Sequence, residues 1–97
     1  MYGRPILKLF KMKNTGIELI AQERKGVIEK GYGNFDSEYT KEELLDAANA
    51  IILQEARLWP WNETLFPHYM RKPRVEQLAI AGQFIAAEID RLQALEG

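Results

Sequence analysis

The chain has 97 residues, of which 46% are hydrophobic and 28% charged, with a formal net charge of -1, a single histidine and no cysteine. This length makes one domain rather than two; the charge balance argues against generic nucleic-acid binding, which needs a basic excess to neutralise phosphates; and the lack of thiols excludes disulfides and thiolate metal sites. No apolar run approaches the roughly 18 residues of a membrane span, and the basic start lacks the apolar core of a secretory signal, so a cytoplasmic protein without a membrane partner is the expectation.

Residues 1–14 read as a short N-terminal arm or extension, because Met12 opens "MKNTGIEL", which has the look of a protein start of its own. Residues 15–97 then form a single helical domain. Charge is uneven along the chain: residues 1–30 hold seven basic and three acidic side chains, whereas residues 31–56 hold one basic and six acidic. The two regions can therefore attract each other, within a chain or between subunits.

The first helix is predicted over 15–30. Thr15 and Glu18 stand three apart, the spacing of a capping box in which each side chain serves the other's backbone. Ile17, Ile20, Ala21, Val27 and Ile28 are spaced for one helical face, and Gly31 and Gly33 supply a stop. A second box, "TKEE" from Thr40 to Glu43, predicts a helix over 41–58. Leu44, Ala48, Ile51, Ile52 and Glu55 line one face of it, and Pro60 disfavours helix beyond Leu58.

The third helix is predicted over 73–95, with Pro73 at its first position. Leu78, Gly82, Ile85, Ile89 and Leu92 alternate spacings of four and three, a heptad-like stripe. Gly82 and the alanines at 79, 81, 86 and 87 leave little bulk and permit close helix packing, inside the monomer or across a dimer. The expected fold is all-α: a compact three-helix bundle with a long aromatic-rich connection between the second and third helices. A bundle this thin has a marginal core, so a homo-oligomer is expected.

That connection, "RLWPWNETLFPHYMRKP", gathers both tryptophans, the histidine and three of the four prolines. Trp59, Trp61, Phe66 and Tyr69 offer flat faces, and Arg57, Arg71, Lys72 and Arg74 offer positive charge. Aromatic faces stack bases at roughly 1–3 kcal/mol each and arginines bind phosphate bidentately, which would suit a nucleotide or a cyclic oligonucleotide. The competing reading is structural, with the indoles buried as a cap over the bundle. Both stay open at this stage, including the mixture in which one indole packs and the other is exposed.

Elsewhere, chemistry-bearing residues are few. Glu43 and Asp46 share a helical face, and paired carboxylates suit Mg²⁺; the plainer reading is that Glu42, Glu43 and Asp46 favour the positive end of the helix dipole. Glu23 and Glu88 border the core by spacing and want partners, for which Arg24, Arg57 and Arg91 are available. With one histidine, one serine and no cysteine, there is no basis for a catalytic triad or a His–His metal pair.

The stretches "GIELIAQER", "EELLDAA", "LWPWNE" and "AGQFIAAEIDRL" together resemble a family of small, mostly uncharacterised bacteriophage and prophage proteins. That family combines a G-I-x-L-I-A-x-E-R helix, a W-P-W-[DN] segment and a C-terminal A-E-I-x-R-L helix, and the resemblance spans residues 16–92. Many members carry an E-H-D-D-x-H stretch where this chain reads Asn34, Phe35, Asp36, Ser37, Glu38 and Tyr39, so metal chemistry tied to that stretch is not carried over. The resemblance implies a phage or prophage protein acting in a host cytoplasm; taken with the aromatic and basic connection, the expectation is a non-enzymatic accessory protein without cofactor that binds a nucleotide-type ligand or a host protein. More weakly, "EELLDAA" is similar to the second half of the acidic motif in MazG-type pyrophosphohydrolases. That alternative implies an Mg²⁺-dependent hydrolase with Glu43 and Asp46 among its metal ligands. A structural or protein-interaction module without ligand is the third expectation.

Overall fold

In a computed structural model of the chain, residues 14–31, 42–62 and 64–96 are described. They hold four α-helices and no strand: α1 (Gly16–Glu29), α2 (Glu43–Leu53), α3 (Leu65–Met70) and α4 (Arg74–Glu96), with a 3-10 turn at Ala56–Leu58 between α2 and α3. The all-α expectation holds. The three-helix description is corrected by α3, which lies inside the stretch read as a connection.

Helix α1 starts where the capping box places it. The Thr15 backbone N–H donates to Glu18 Oε1 at 2.7 Å, and the Glu18 N–H donates to Thr15 Oγ1 at 3.2 Å. Two otherwise unpaired donors of the first turn are thereby satisfied. The chain leaves the helix through Gly31, at φ +89°, a conformation open to glycine at no steric penalty. The face expected to be buried is only half right. Ile20 and Val27 turn inward, but Ile17 is 82% exposed and no residue of α1 is fully buried.

Helix α2 begins at Glu43 with Glu42 at the N-cap and no side-chain cap; the predicted box opens on Thr40, which with Lys41, Gly33 and residues 34–39 lies outside the described residues. The helix also ends five residues earlier than Pro60 alone would require. Gln54 adopts the left-handed conformation (φ +55°), the Glu55 N–H donates to Ala50 O at 2.9 Å, and the Gln54 N–H donates to Ile51 O at 3.2 Å. This is a Schellman ending with glutamine in the place glycine usually takes. Arg74 reinforces it from α4, donating to Ile51 O at 3.1 Å and Ile52 O at 2.6 Å.

Helix α3 forms because Pro67 falls in its first turn, where the absent N–H would have no helical acceptor anyway. Asn62 Oδ1 accepts from the Thr64 N–H at 2.8 Å and bends the chain into it. Pro73 sits one position before α4 rather than at its first residue, and its carbonyl accepts from the Gln77 N–H.

Helix α4 is the central element, packed most extensively against α2 and next against α1. The core between α2 and α4 is built from small residues, Ala47, Ala48, Ala50 and Ala81, with Ile51 and Ile80 between them and Trp59 and Phe66 closing one end. Burying each large apolar side chain contributes about 1.5–3 kcal/mol, so Trp59, Phe66, Ile51 and Ile80 dominate this core. The close approach permitted by Ala79, Ala81 and Ala87 occurs inside the monomer, where all three are buried.

The heptad-like stripe is where the structure departs most from expectation. Leu78, Ile85, Ile89 and Leu92 are 40–51% exposed, whereas the buried arc of α4 contains Gln77, Gln83, Glu88 and Arg91. These polar residues are inside because each has partners. Gln77 uses all four hydrogen-bonding positions of its amide: Oε1 accepts from Gln54 and Arg74, and Nε2 donates to the carbonyls of Met70 and Lys72. Gln83 Oε1 accepts from Arg24 at 2.9 Å.

Candidate functional site

Trp59 organises the aromatic corner. Its Nε1 donates to Asn62 O at 2.8 Å, so the single polar atom of the indole is satisfied although the residue is 8% exposed. Around it stand Trp61, Phe66, Tyr69 and Phe84, with ring centroids 5.3–6.0 Å away and mostly edge-on or tilted. Such geometry sets positive ring edges against negative faces and adds to the burial energy.

Because α1 packs principally on α4, a cleft of about 760 Å³ opens between α1 and the aromatic corner. Ile80, Phe84 and the indole of Trp59 form its apolar wall, with Trp61 and Tyr69 beside them; Val27 and Leu44 contribute from α1 and α2. Polar and charged groups ring it: Gln22, Glu23 and Lys30 from α1, His68 and Lys72 from the corner, and Gln83 from α4. This volume is in the range of small-molecule sites, about 300–1,000 Å³, as is an apolar wall with a few polar groups. Among the described residues, the charged rim holds two lysines against one glutamate.

Four of the seven residues proposed from sequence as ligand contacts, Trp59, Trp61, Tyr69 and Lys72, line this cleft. The three arginines do not. Arg57 is turned outward and paired with Glu55 (3.1 Å, side chain 86% exposed), and holds the Glu55 carboxyl below its ordinary range. Arg71 is exposed at the end of α3. Arg74 is committed to the carbonyls that end α2. In their place the fold supplies His68 from the same segment, and Lys30, Gln83 and Phe84 from outside it, which no local pattern joins to it.

The two tryptophans divide the roles weighed for them. Trp59 closes the bundle, while Trp61 is half-buried and packs at 5.6 Å from Phe84 at the cleft margin.

The carboxylates sort differently. Glu88 is paired with Arg91 through two bonds, at 2.7 and 2.9 Å, with both side chains under 10% exposed. The guanidinium, chiefly by hydrogen bonding, holds the Glu88 carboxyl below its ordinary range; reciprocally, the pair and the nearby Glu43 and Glu42 raise the Arg91 pKa. The structural ion pair expected for Glu88 is therefore present, and the acids at the start of α2 share its arginine. Glu23 differs: it lines the cleft, and Arg24 beside it turns to Asp90 (2.8 Å) and Gln83 instead. Among the described residues, no group of three His, Asp or Glu side chains is arranged to hold a metal ion, so Glu43 and Asp46 are not joined there by a third ligand.

No protein-family profile, curated protein or solved structure matches this chain significantly.

Proposed function

We propose that this chain is a non-enzymatic binding protein whose cleft takes a small planar anion of the nucleotide type. The observation that carries this reading is the convergence of the aromatic side chains of Trp61 and Tyr69 with Lys30, Lys72 and His68 around one cleft of about 760 Å³. An aromatic ring stacks on a base whatever its identity, and flanking ammonium groups attract phosphate. Glu23, on the α1 side, is an acceptor for the N–H groups of a base edge. With a net charge of -1, the positive rim is local, which favours a small ligand over a nucleic-acid strand.

In this reading the protein is an accessory factor of the phage kind that its sequence resembles, and sequestration of a host signalling nucleotide in a host cytoplasm is one concrete role for it. Titration calorimetry against mono-, di- and cyclic nucleotides tests the idea. Heat with at least one of them, lost in Trp61→Ala and Lys72→Glu, supports it; uniform absence of heat overturns it. The Mg²⁺-dependent hydrolase alternative has less support, since Arg91 acts on Glu43 and Glu42 and no third ligand joins Glu43 and Asp46 among the described residues.

A further inference from the structure

Gln77 and Gln83 are buried alike in α4, at 3% exposure each, yet their amides differ sharply in how far they are satisfied. Gln77 fills all four positions of its amide, whereas the Gln83 side chain makes one bond among the described residues, accepting at Oε1 from Arg24 Nη1 at 2.9 Å. A guanidinium carries donors only, so the end of the Gln83 amide that meets it is the oxygen and the other end is the Nε2–H₂ group. Arg24 is itself held by Asp90, to which its Nε and Nη2 donate at 3.1 and 2.8 Å, so the amide is kept from turning over. Nε2 has no acceptor among the described residues, and a buried donor without one carries a desolvation cost that a new acceptor offsets. Gln83 lines the cleft, and that is where such an acceptor would come from.

The geometry points to Gln83 and Glu23 as the pair that reads the base of the ligand, and to guanine as the base they select; this rests on the nucleotide reading of the cleft. Gln83 is next to Gly82, against which Ile20 seats, and Glu23 lies one helical turn beyond Ile20 on α1, so the two polar groups meet the cleft on the same side. Glu23 is half-buried and its carboxylate, like Nε2, has no partner among the described residues. Together they offer two acceptor oxygens and an amide donor. The Watson–Crick edge of guanine is the complement: N1–H and N2–H₂ side by side for a carboxylate, with the acceptor O6 next to them for an amide N–H. Adenine has a single donor group, N6–H₂, on that edge. A glutamine free to turn reads adenine by accepting from N6, but Arg24 draws the Gln83 oxygen to itself and leaves only the donor for the ligand. The Glu23 charge repels phosphate from this end of the cleft, and the rim lysines Lys30 and Lys72 attract it elsewhere.

Titration calorimetry of the full chain with guanosine, inosine and adenosine monophosphates tests this, because the three share sugar and phosphate and differ only in the base. The guanine compound should bind about tenfold more tightly than the adenine one, with the inosine compound, which lacks the 2-amino group, between them. Gln83→Glu keeps an acceptor for Arg24 and removes the donor. With unchanged far-ultraviolet circular dichroism, it should bring the guanine and adenine compounds within about twofold of each other. Where Gln83→Glu loses helical signal, Glu23→Gln, at a half-buried position on α1, decides instead: it should lower the guanine compound to the level of the inosine one. Arg24 is a positioning residue, so Arg24→Gln, which frees the amide to turn, should weaken the guanine compound and strengthen the adenine one; a merely structural loss would weaken both. A parent that binds the three alike or favours adenine, or a Gln83→Glu protein that keeps the parental preference, overturns the assignment of guanine and leaves the nucleotide cleft standing. Absence of heat with every nucleotide overturns both.

Discussion

The side chain of Ile20 fills the space that a β-carbon on Gly82 would need: a Cβ built there would lie 2.5 Å from Ile20 Cδ1 and 2.6 Å from Cγ1. The contact is a notch in α4 that seats α1, and it explains a glycine in the middle of the longest helix. Alanine at this position would gain about 1 kcal/mol of helix propensity. The overlap with a β-branched side chain, stiff at χ1, costs about 1–3 kcal/mol. Gly82→Ala should therefore destabilise the parent by about 1 kcal/mol in urea unfolding, yet stabilise an Ile20→Ala background by a similar amount. Equal effects in both backgrounds would remove the notch from the account of how α1 is held.

The tryptophans should respond differently to truncation. Trp59→Ala removes the centre of the aromatic corner and its bond to Asn62, and should cost about 3–5 kcal/mol. Trp61→Ala, at the half-buried margin, should cost about 1–2 kcal/mol and leave the fold intact for ligand titration. Fluorescence of the two single-tryptophan variants checks the assignment beforehand. Emission from Trp59 should be blue-shifted and poorly quenched by iodide, that from Trp61 red-shifted and quenched.

Glu88 links stability to pH. Its carboxyl is held below the ordinary value of 4.5 by Arg91, so its stabilising contribution is complete above that value and is lost as pH falls through the lower, folded-state value. Glu88→Gln should lower the melting temperature at pH 7, where it leaves Arg91 without its buried carboxylate. It should also flatten the decline in stability below about pH 4.5. Part of the slope should persist, since the Glu55 carboxyl is lowered in the same direction by Arg57. Thermal melts of both proteins from pH 7 to pH 2.5 measure this; parallel curves would show that the pair is not linked to folding.

Arg74 and Arg57 are close in sequence and opposite in consequence. Arg74→Ala removes two bonds to the last carbonyls of α2 and one to Gln77, and should cost about 1–2 kcal/mol. Arg57→Ala breaks only an exposed ion pair and should change stability by less than about 0.5 kcal/mol. Urea unfolding distinguishes them, and equal losses would contradict the capping role of Arg74.

The sequence announces the ends of α1 and α4 well, because their signals are local: Thr15 and Glu18 are three residues apart, and Pro73 is next to the start it marks. It misses the end of α2, because Gln54 takes a left-handed conformation secured by Arg74 and Gln77 across about twenty residues. It misses α3, because Pro67 reads as a breaker until its place in a first turn is known. The inverted face of α4 has the same origin. Spacing marks Glu88 as bordering the core with Arg91 available to it, but nothing local marks Gln77 and Gln83 as buried, and only their tertiary partners make that burial tolerable. Half of the candidate site was legible, as Trp59, Trp61, Tyr69 and Lys72 lie in one segment. Lys30 and Gln83 reach the cleft only through the packing of α1 on α4.

The saturated amide of Gln77 has a mechanical consequence. It ties the end of α2, the end of α3 and the start of α4 at one point, and so rivets the aromatic corner to the two helices behind it. That wall of the cleft cannot swing independently. The opposite wall, α1, is fastened to α4 by the Arg24 clip and by Ile20 in its notch, with nothing fully buried. The cleft thus has one wall tied at a single saturated amide and another seated through partly buried contacts, and its width is set by how α1 sits on α4.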